Sequence, residues 1–112
     1  MKKLITIAIL LLVSMSVYSE TLKDFHRFKN DESMSGVFGL YLKGLGEGFN
    51  FSNAIIAQRG GRPFVCVPDQ TLLSGRDYVS IFEKELKVRS YSEDELVSII
   101  MLSALMANYP CG

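Results

Sequence analysis

The stretch SEDELVSIIMLSALMANYPC, residues 92–111, decides the fold because it contains a helix start, an apolar helix and a stop. Ser92 stands three residues before Glu95, which is the spacing of a capping box at a helix N-terminus. We therefore expect a helix from Ser92 to about Asn108, ended by Pro110. Apolar side chains surround this helix almost completely, which is typical of a helix at the centre of a core or of one partly covered by another subunit. These side chains are Leu96, Val97, Ile99, Ile100, Met101, Leu102, Leu105 and Met106.

A second helix start precedes this stretch at Ser74. Ser74 stands three residues before Asp77, a capping box with Asp in place of Glu. The pattern predicts a helix from Ser74 to about Lys87. Glu85 and Arg89 have the favourable order at a spacing of four, and we expect this pair on the solvent side. The apolar face of this helix is expected to bury Tyr78, Ile81, Phe82 and Leu86.

The segment from about Asp31 to Phe49 reads as a further helix that is unusually rich in glycine. Gly44 and Gly48 lie four residues apart on one side, where they would let a helix of this chain or of a second subunit approach closely. Internal packing is the expectation for any one glycine. Alternatively, the helix breaks near Asn50 and restarts at Ser52, with Ala54, Ile55 and Ile56 packing inward. The predicted apolar face, at steps of three and four, comprises Met34, Val37, Phe38, Tyr41, Leu45 and Phe49.

Two cysteines follow the glycine-rich segment. Gly60-Gly61 ends the helical region, and Pro63 and Pro68 keep the next stretch extended, so Cys66 is expected in a buried connector. Cys66 and Cys111 are 45 positions apart, which fits neither a metal pair nor a redox motif. A structural disulfide is the main prediction, and an intermolecular bond is the alternative. The predicted fold is all-α, a compact bundle of about four helices with one intrachain disulfide.

Residues 1–19 have the three parts of a secretory signal peptide. A charged start is followed by an apolar run from Leu4 to Val13 and then by small residues. The apolar run is about half of the roughly 20 residues that a membrane-spanning helix needs. We expect cleavage between Ser19 and Glu20, a single domain over residues 20–112, and no membrane association after removal of the signal.

The charge balance and the side-chain inventory exclude several functional classes. Without Lys2 and Lys3, the 12 basic residues become 10 against 12 acidic residues, a formal charge of −2. Nucleic acid is therefore not an expected partner, since it requires a concentrated basic patch. His26, the single histidine, is expected to be exposed at a mobile end before the first helix. The sequence shows no metal-ligand cluster, no phosphate loop and no nucleophile with its base, so it predicts neither a cofactor nor an enzyme.

Three motifs in order resemble the Tai/Rap immunity proteins of type VI secretion systems: YLKGLGEGF at 41–49, FVCVP at 64–68 and YPC at 109–111. The likeness extends from Gly39 to Cys111. Its most specific part is the pairing of C-x-P with a terminal P-C. The resemblance implies a small periplasmic helical protein, commonly a homodimer, with one disulfide. It also implies steric inhibition of a papain-like peptidoglycan amidase, whose cleft a protruding loop of the immunity protein would fill.

The turn between the last two predicted helices is the best-exposed candidate for such a loop. Arg89 and Tyr91 are residue types that often anchor interfaces. Tyr91 has a second expected role, because it is also placed to form a hydrophobic staple with Leu96. The turn Gln58–Arg62 is a second candidate. The candidate partner-binding residues are Lys87, Arg89, Ser90, Tyr91 and Glu93.

Two other functional classes remain open at the level of sequence. The first is a periplasmic stress chaperone of the holdase type, which would usually open on acidification. His26 is the one side chain that titrates near neutrality, although the 12 carboxylates respond at lower pH. The second is a structural envelope protein with no soluble partner.

Overall fold

Four helices follow one another in the residues that the computed structural model describes, 20–112. They are α1 (Leu22–Lys29), α2 (Ser35–Gln58), α3 (Gly75–Val88) and α4 (Val97–Asn108). The predicted all-α bundle of about four helices is confirmed, as is its intrachain disulfide. The signal peptide predicted over 1–19 lies outside the described residues. None of the described helices has the length and apolar character that spanning a bilayer requires.

Helix α4 occupies the centre of the core, as its apolar circumference predicts. It packs against both α2 and α3. Four of its side chains are fully buried, while Ile99 and Met106 remain about half exposed. Helices α2 and α3 therefore cover most of α4 within one chain. The fully buried residues of α4 are Val97, Ile100, Met101 and Leu105.

The predicted start of α4 at Ser92 is wrong, because the helix begins at Val97. The preceding segment pairs instead with the chain around α1, in an antiparallel bridge between Thr21 and Leu96. The carbonyl of Glu95 accepts a hydrogen bond from the backbone N–H of Leu22 at 2.9 Å. This tertiary hydrogen bond thus uses a backbone carbonyl that the first turn of a helix starting at Ser92 would otherwise have used.

Helix α1 was missed by the sequence analysis, although it carries its own capping box. The Thr21 N–H donates to the Asp24 carboxylate at 3.0 Å, and the Asp24 N–H donates to the Thr21 hydroxyl at 3.4 Å. These hydrogen bonds hold the pKa of Asp24 below its usual value. Phe25 anchors α1 in the core, with its ring 4.7 Å from that of Phe82. His26 lies within this helix, so its predicted place at a mobile end is wrong.

Helix α2 runs without a break from Ser35 to Gln58, so the predicted bounds of about Asp31 to Phe49 and the alternative of a restart at Ser52 are both wrong. Asn53 explains why the helix continues through this polar stretch. Its buried amide donates to the Val65 carbonyl and accepts from the Phe64 N–H at 2.9 Å. Asn53 therefore points inward and holds the connector. Ala54 and Ile55, which the restart would have packed inward, are exposed.

Helix α2 ends as the Gly60-Gly61 pair predicts. Gly60 adopts a φ of 80°, a left-handed conformation that L side chains rarely adopt. Its N–H donates to the Ala57 carbonyl at 3.1 Å, and the Gly61 N–H donates to the Ile56 carbonyl at 2.9 Å. This is a Schellman motif, and it satisfies carbonyl groups that the helix end would otherwise leave unpaired.

The glycines of α2 fall into two groups. A methyl group at Gly46 would overlap the ring of Tyr78, so this glycine permits the close crossing of α2 and α3. At Gly44 or Gly48 an added Cβ would meet nothing within 4 Å. The expectation of internal packing is therefore wrong for these two, because they lie on the exposed side of α2.

The disulfide joins the connector to the chain just after α4. The Cα atoms of Cys66 and Cys111 are 5.0 Å apart, and the Cys66 N–H donates to the Tyr109 carbonyl at 2.9 Å. Val65 is buried beside it, whereas Cys66 itself is exposed. The predicted intrachain bond is confirmed, and the connector is buried through Val65 and not through its cysteine.

Candidate functional site

The turn Lys87–Glu93 begins in the last residues of α3. The Ser74 capping box that starts this helix forms as predicted, with the Asp77 N–H donating to the Ser74 hydroxyl at 3.2 Å. The helix ends at Val88, and Arg89 takes an extended conformation that turns the chain away. Val88 exposes 67% of its surface, a large fraction for an apolar side chain.

A buried carboxylate fixes the near end of this turn. Glu85 is only 3% exposed, so the prediction that its pair with Arg89 lies on the solvent side is wrong for Glu85. The Tyr91 hydroxyl donates to Glu85 Oε1 at 2.6 Å, and Arg89 Nε lies 3.4 Å from the same oxygen. These two partners offset the loss of water around the carboxylate. Burial raises the pKa of the Tyr91 phenol above its ordinary value, and the hydrogen bond to Glu85 raises it further.

Helix α1 fixes the far end of the turn. The Lys23 N–H donates to the Glu93 carbonyl at 3.0 Å. Nδ1 of His26 lies 3.2 Å from the Glu93 carboxylate, in a pair whose two side chains are about half exposed. The turn is thus tied at one end to the inside of α3 and at the other end to α1.

The predicted site residues divide into two kinds. Arg89, Tyr91 and Glu93 make contacts that hold the turn, whereas Lys87 and Ser90 are exposed on it. Tyr91 packs partly against the core. Its predicted staple with Leu96 does not form across the first turn of a helix, because α4 begins only after Leu96.

Two residues of this site were missed by the sequence analysis. Glu85 lies at the helical spacing of Tyr78, Ile81 and Phe82, so the same periodicity that identified the buried face also indicated Glu85. Val88 follows the last charged residue of the helix, and no pattern marked it as exposed. Together with Lys87 and Ser90, it forms the outward surface of the turn.

The second candidate turn, Gln58–Arg62, is held differently. All five of its residues are exposed, and its backbone hydrogen bonds return only to the last turn of α2. It has no counterpart to the buried Glu85 carboxylate. We therefore treat the Lys87–Glu93 turn as the principal candidate site.

The two cysteines and the histidine of the described residues all contact other side chains of the chain. Cys66 and Cys111 are bonded to each other, so neither provides a thiol. The imidazole of His26 faces the Glu93 carboxylate. Between residues 20 and 112 there is no group of three or more His, Cys, Asp or Glu side chains that is arranged to hold a metal ion.

Comparisons with known proteins identify no relative of this chain. No protein-family model matches the sequence, and neither a curated protein nor a solved structure matches it. The resemblance to Tai/Rap immunity proteins therefore stays a prediction that depends on the motifs at 41–49, 64–68 and 109–111. The structure joins the last two of these motifs through the disulfide.

Proposed function

We propose that this chain is a periplasmic immunity protein that binds and sterically inhibits a type VI secreted peptidoglycan amidase. The Lys87–Glu93 turn would enter the cleft of the toxin and exclude the wall peptide. The observation that carries the proposal is the fixation of this exposed turn at both ends, by Glu85 and by α1.

Fixation supports a binding role because it lowers the entropy that a loop loses when it binds. Ordering a mobile side chain at an interface costs about 0.5–1.5 kcal/mol, and a loop that is already fixed avoids much of this. The Tyr91 hydroxyl and the Arg89 guanidinium reduce the motion of the turn before any partner arrives. Lys87, Val88 and Ser90 then offer one cation, one apolar group and one hydroxyl to a cleft.

Inhibition by occlusion requires no catalytic group on the inhibitor. The disulfide engages both cysteines of the described residues, so neither offers a thiol nucleophile, which supports an action by binding. The disulfide is also compatible with an oxidising compartment such as the periplasm, where such bonds form and persist. The class of partner, a peptidoglycan amidase, comes from the resemblance of the motifs at 41–49, 64–68 and 109–111 to Tai/Rap immunity proteins.

The decisive experiment co-expresses the mature chain with a candidate papain-like amidase from a neighbouring gene and measures inhibition of that amidase. We expect the oxidised chain to form a stable complex in size-exclusion chromatography and to stop release of cleaved wall peptides. Val88→Glu and Ser90→Arg should each weaken inhibition by about tenfold or more, since a buried charge would enter the interface. Arg76→Glu, an exposed charge change in the first turn of α3, is the matched control and should inhibit like the unchanged chain.

Two outcomes would contradict this proposal. Full inhibition by both turn variants would show that the amidase does not contact the Lys87–Glu93 turn. Failure of the unchanged chain to bind or to protect cells against the amidase would reject the pairing itself. Circular dichroism and thermal unfolding of each variant separate loss of binding from loss of fold.

A holdase chaperone is a second candidate, because α2 exposes large apolar side chains. Leu40 and Phe51 are 70% and 75% exposed. A chaperone should suppress the aggregation of an unfolded client, and Leu40→Ser should weaken that effect. Light scattering of a reduced or acid-treated client, with and without the chain, measures it. Suppression of aggregation without amidase inhibition would favour this candidate over immunity.

A further inference from the structure

A small cavity lies where residue 20 meets the end of α1 and the first turns of α2. Its volume is about 150 Å³. Pockets that enclose drug-sized ligands are larger, at roughly 300–1,000 Å³, whereas an apolar cavity of about 150 Å³ accepts a molecule of the size of benzene. We call this cavity the Glu20 pocket. Its walls are formed by Glu20, Phe28, Met34, Val37, Phe38 and Tyr41.

Three aromatic rings contribute to the wall of the Glu20 pocket. The centroid of the Phe38 ring lies 6.1 Å from that of Phe28 and 5.5 Å from that of Tyr41. The ring planes are inclined by 34° and 54°, so the rings do not stack flat on one another. Aromatic rings attract cations through their electron-rich faces. One ring of this wall already does so, because the Arg27 guanidinium lies 5.0 Å from the centroid of Phe28.

Glu20 adds a negative charge to this aromatic wall. The other five side chains that line the pocket are uncharged. The backbone of Glu20 is held in place, because its carbonyl accepts a hydrogen bond from the Val97 N–H at 2.9 Å. Burial raises the pKa of the Tyr41 phenol, and the negative charge of Glu20 raises it further. The carboxylate therefore lies close enough to the pocket to act on a group bound there.

The cations nearest in sequence to the pocket wall pair with other carboxylates. Arg27 lies 3.6 Å from the Asp24 carboxylate, and Lys29 lies 2.8 Å from that of Glu83. Among residues 20–112, no ion pair includes Glu20. The pocket thus combines rings that attract a cation with a carboxylate that the described residues leave without one.

The composition of the wall indicates which organic cation fits. A primary ammonium carries three N–H donors and a guanidinium five, each of which requires an acceptor when buried. The lining side chains offer only the Glu20 carboxylate and the Tyr41 hydroxyl as strong acceptors. A quaternary ammonium group has no N–H donor, and its methyl groups can contact the rings and Met34. With about five heavy atoms, this group is also smaller than the benzene that such a volume accepts.

We propose that the Glu20 pocket binds the quaternary ammonium group of a small solute, between the Glu20 carboxylate and the aromatic rings. The volume accommodates the ammonium group alone, so the rest of the ligand lies outside, beside Val37, which exposes 56% of its surface. The pocket contains no residue of the Lys87–Glu93 turn, so this proposal stands or falls independently of the proposed function.

Titration with choline and with its neutral isostere tests the role of the ligand's charge. The sample is the oxidised, ¹⁵N-labelled chain, with a short neutral leader that keeps its terminal ammonium away from Glu20. We expect choline to shift the backbone amide signals of Met34, Val37 and Tyr41, with a dissociation constant of about 1–10 mM. In 3,3-dimethyl-1-butanol a carbon replaces the nitrogen, and binding should be weaker by about tenfold or more.

Either of two results of this titration would overturn the proposal. One is equal binding of choline and 3,3-dimethyl-1-butanol, which would show an apolar cavity with no preference for a cation. The other is the absence of shifts at these residues up to about 100 mM choline.

Variants of the pocket wall test the two parts of the site separately. Glu20→Gln should weaken choline binding by about tenfold or more, since it removes the charge and keeps the shape. Phe28→Leu should weaken it by about threefold or more, because an apolar contact remains but the ring is lost. Glu32→Gln changes an exposed acid between α1 and α2 that does not line the pocket, and should bind choline like the unchanged chain. Unchanged binding by Glu20→Gln, with the fold verified by circular dichroism, would overturn the site.

Sedimentation with phosphatidylcholine vesicles distinguishes a free solute from a lipid that carries the same ammonium group. We expect the chain to stay in the supernatant at concentrations where choline binds, because the pocket is too small to take more than the ammonium group. Sedimentation of the unchanged chain with the vesicles, but not of Glu20→Gln, would overturn the assignment to a free solute.

Discussion

Helices α2 and α4 are both rich in apolar residues, yet they occupy opposite situations in the molecule. Helix α4 is short and enclosed, with Val97, Ile100, Met101 and Leu105 fully buried. Helix α2 is twice as long and contacts all three other helices, yet its side chains Leu40 and Phe51 face solvent. From the sequence, a second subunit stayed open for both helices, and internal packing was the expectation for the α2 glycines.

The difference teaches that apolar composition does not report which face of a helix is covered. Two neighbouring helices can cover most of a 12-residue helix, whereas a 24-residue helix of about 36 Å extends past its neighbours. Amino-acid substitutions can test this contrast between the enclosed interior and the exposed side of α2 that carries Leu40 and Phe51.

Matched truncations of a buried and an exposed side chain should differ most. Leu105→Ala should lower the free energy of unfolding by about 2–5 kcal/mol, since it opens a cavity in a closely packed core. Phe51→Ala should change it by no more than about 0.5 kcal/mol at dilutions where the chain is monomeric. Urea unfolding followed by circular dichroism measures both. Equal losses would contradict the assignment of Phe51 to a free surface.

Removal of the disulfide should have the next largest effect, because it frees the end of α4. The double variant Cys66→Ser and Cys111→Ser should lose about 4 kcal/mol, the chain-entropy value for a loop of this length. Reduction of the unchanged chain with dithiothreitol is the matching control and should give the same loss. A far smaller loss in both would mean that packing alone holds the end of α4.

Two glycine substitutions on α2 should have opposite signs. Gly46→Ala should destabilise the chain by about 1–3 kcal/mol, because its methyl group overlaps the Tyr78 ring. Gly44→Ala should stabilise the monomer by up to about 1 kcal/mol, since it meets only open space. Thermal unfolding of both variants at low concentration measures the difference. Destabilisation by Gly44→Ala in the monomer would show that this side of α2 contacts another part of the chain.

Acidification should lower the stability of the chain by a smaller amount, through α1 and α3 and not through α2 or α4. Hydrogen bonds from Thr21 and Ser74 hold the pKa values of Asp24 and Asp77 below the ordinary value of 3.8. The unfolded chain therefore binds protons more readily, so this stabilisation is complete above about pH 5 and is lost as the pH falls through the lowered pKa values. Melting temperatures between pH 7 and pH 2.5 should fall less steeply for the double variant Asp24→Asn and Asp77→Asn.

Much of the candidate site could be predicted from local sequence, but its internal contacts could not. The end of α3 and the exposure of Lys87 and Ser90 follow from patterns within a few residues. The pairing of Tyr91 with the buried Glu85 depends on where the chain returns after the turn. The contact of Glu93 with His26 joins residues 67 positions apart, which no local pattern specifies.

The sequence by itself determined the all-α class, the start of α3 at Ser74, the end of α2 at Gly60 and the bonding of Cys66 to Cys111. These features depend on backbone groups and side chains that are neighbours along the chain, or on the presence of only two cysteines. Only the tertiary structure decided that α4 begins at Val97, because the Glu95 carbonyl accepts a hydrogen bond from the Leu22 N–H. It also decided which α2 glycines meet a neighbour, since helical periodicity defines the faces of a helix but not what covers each face.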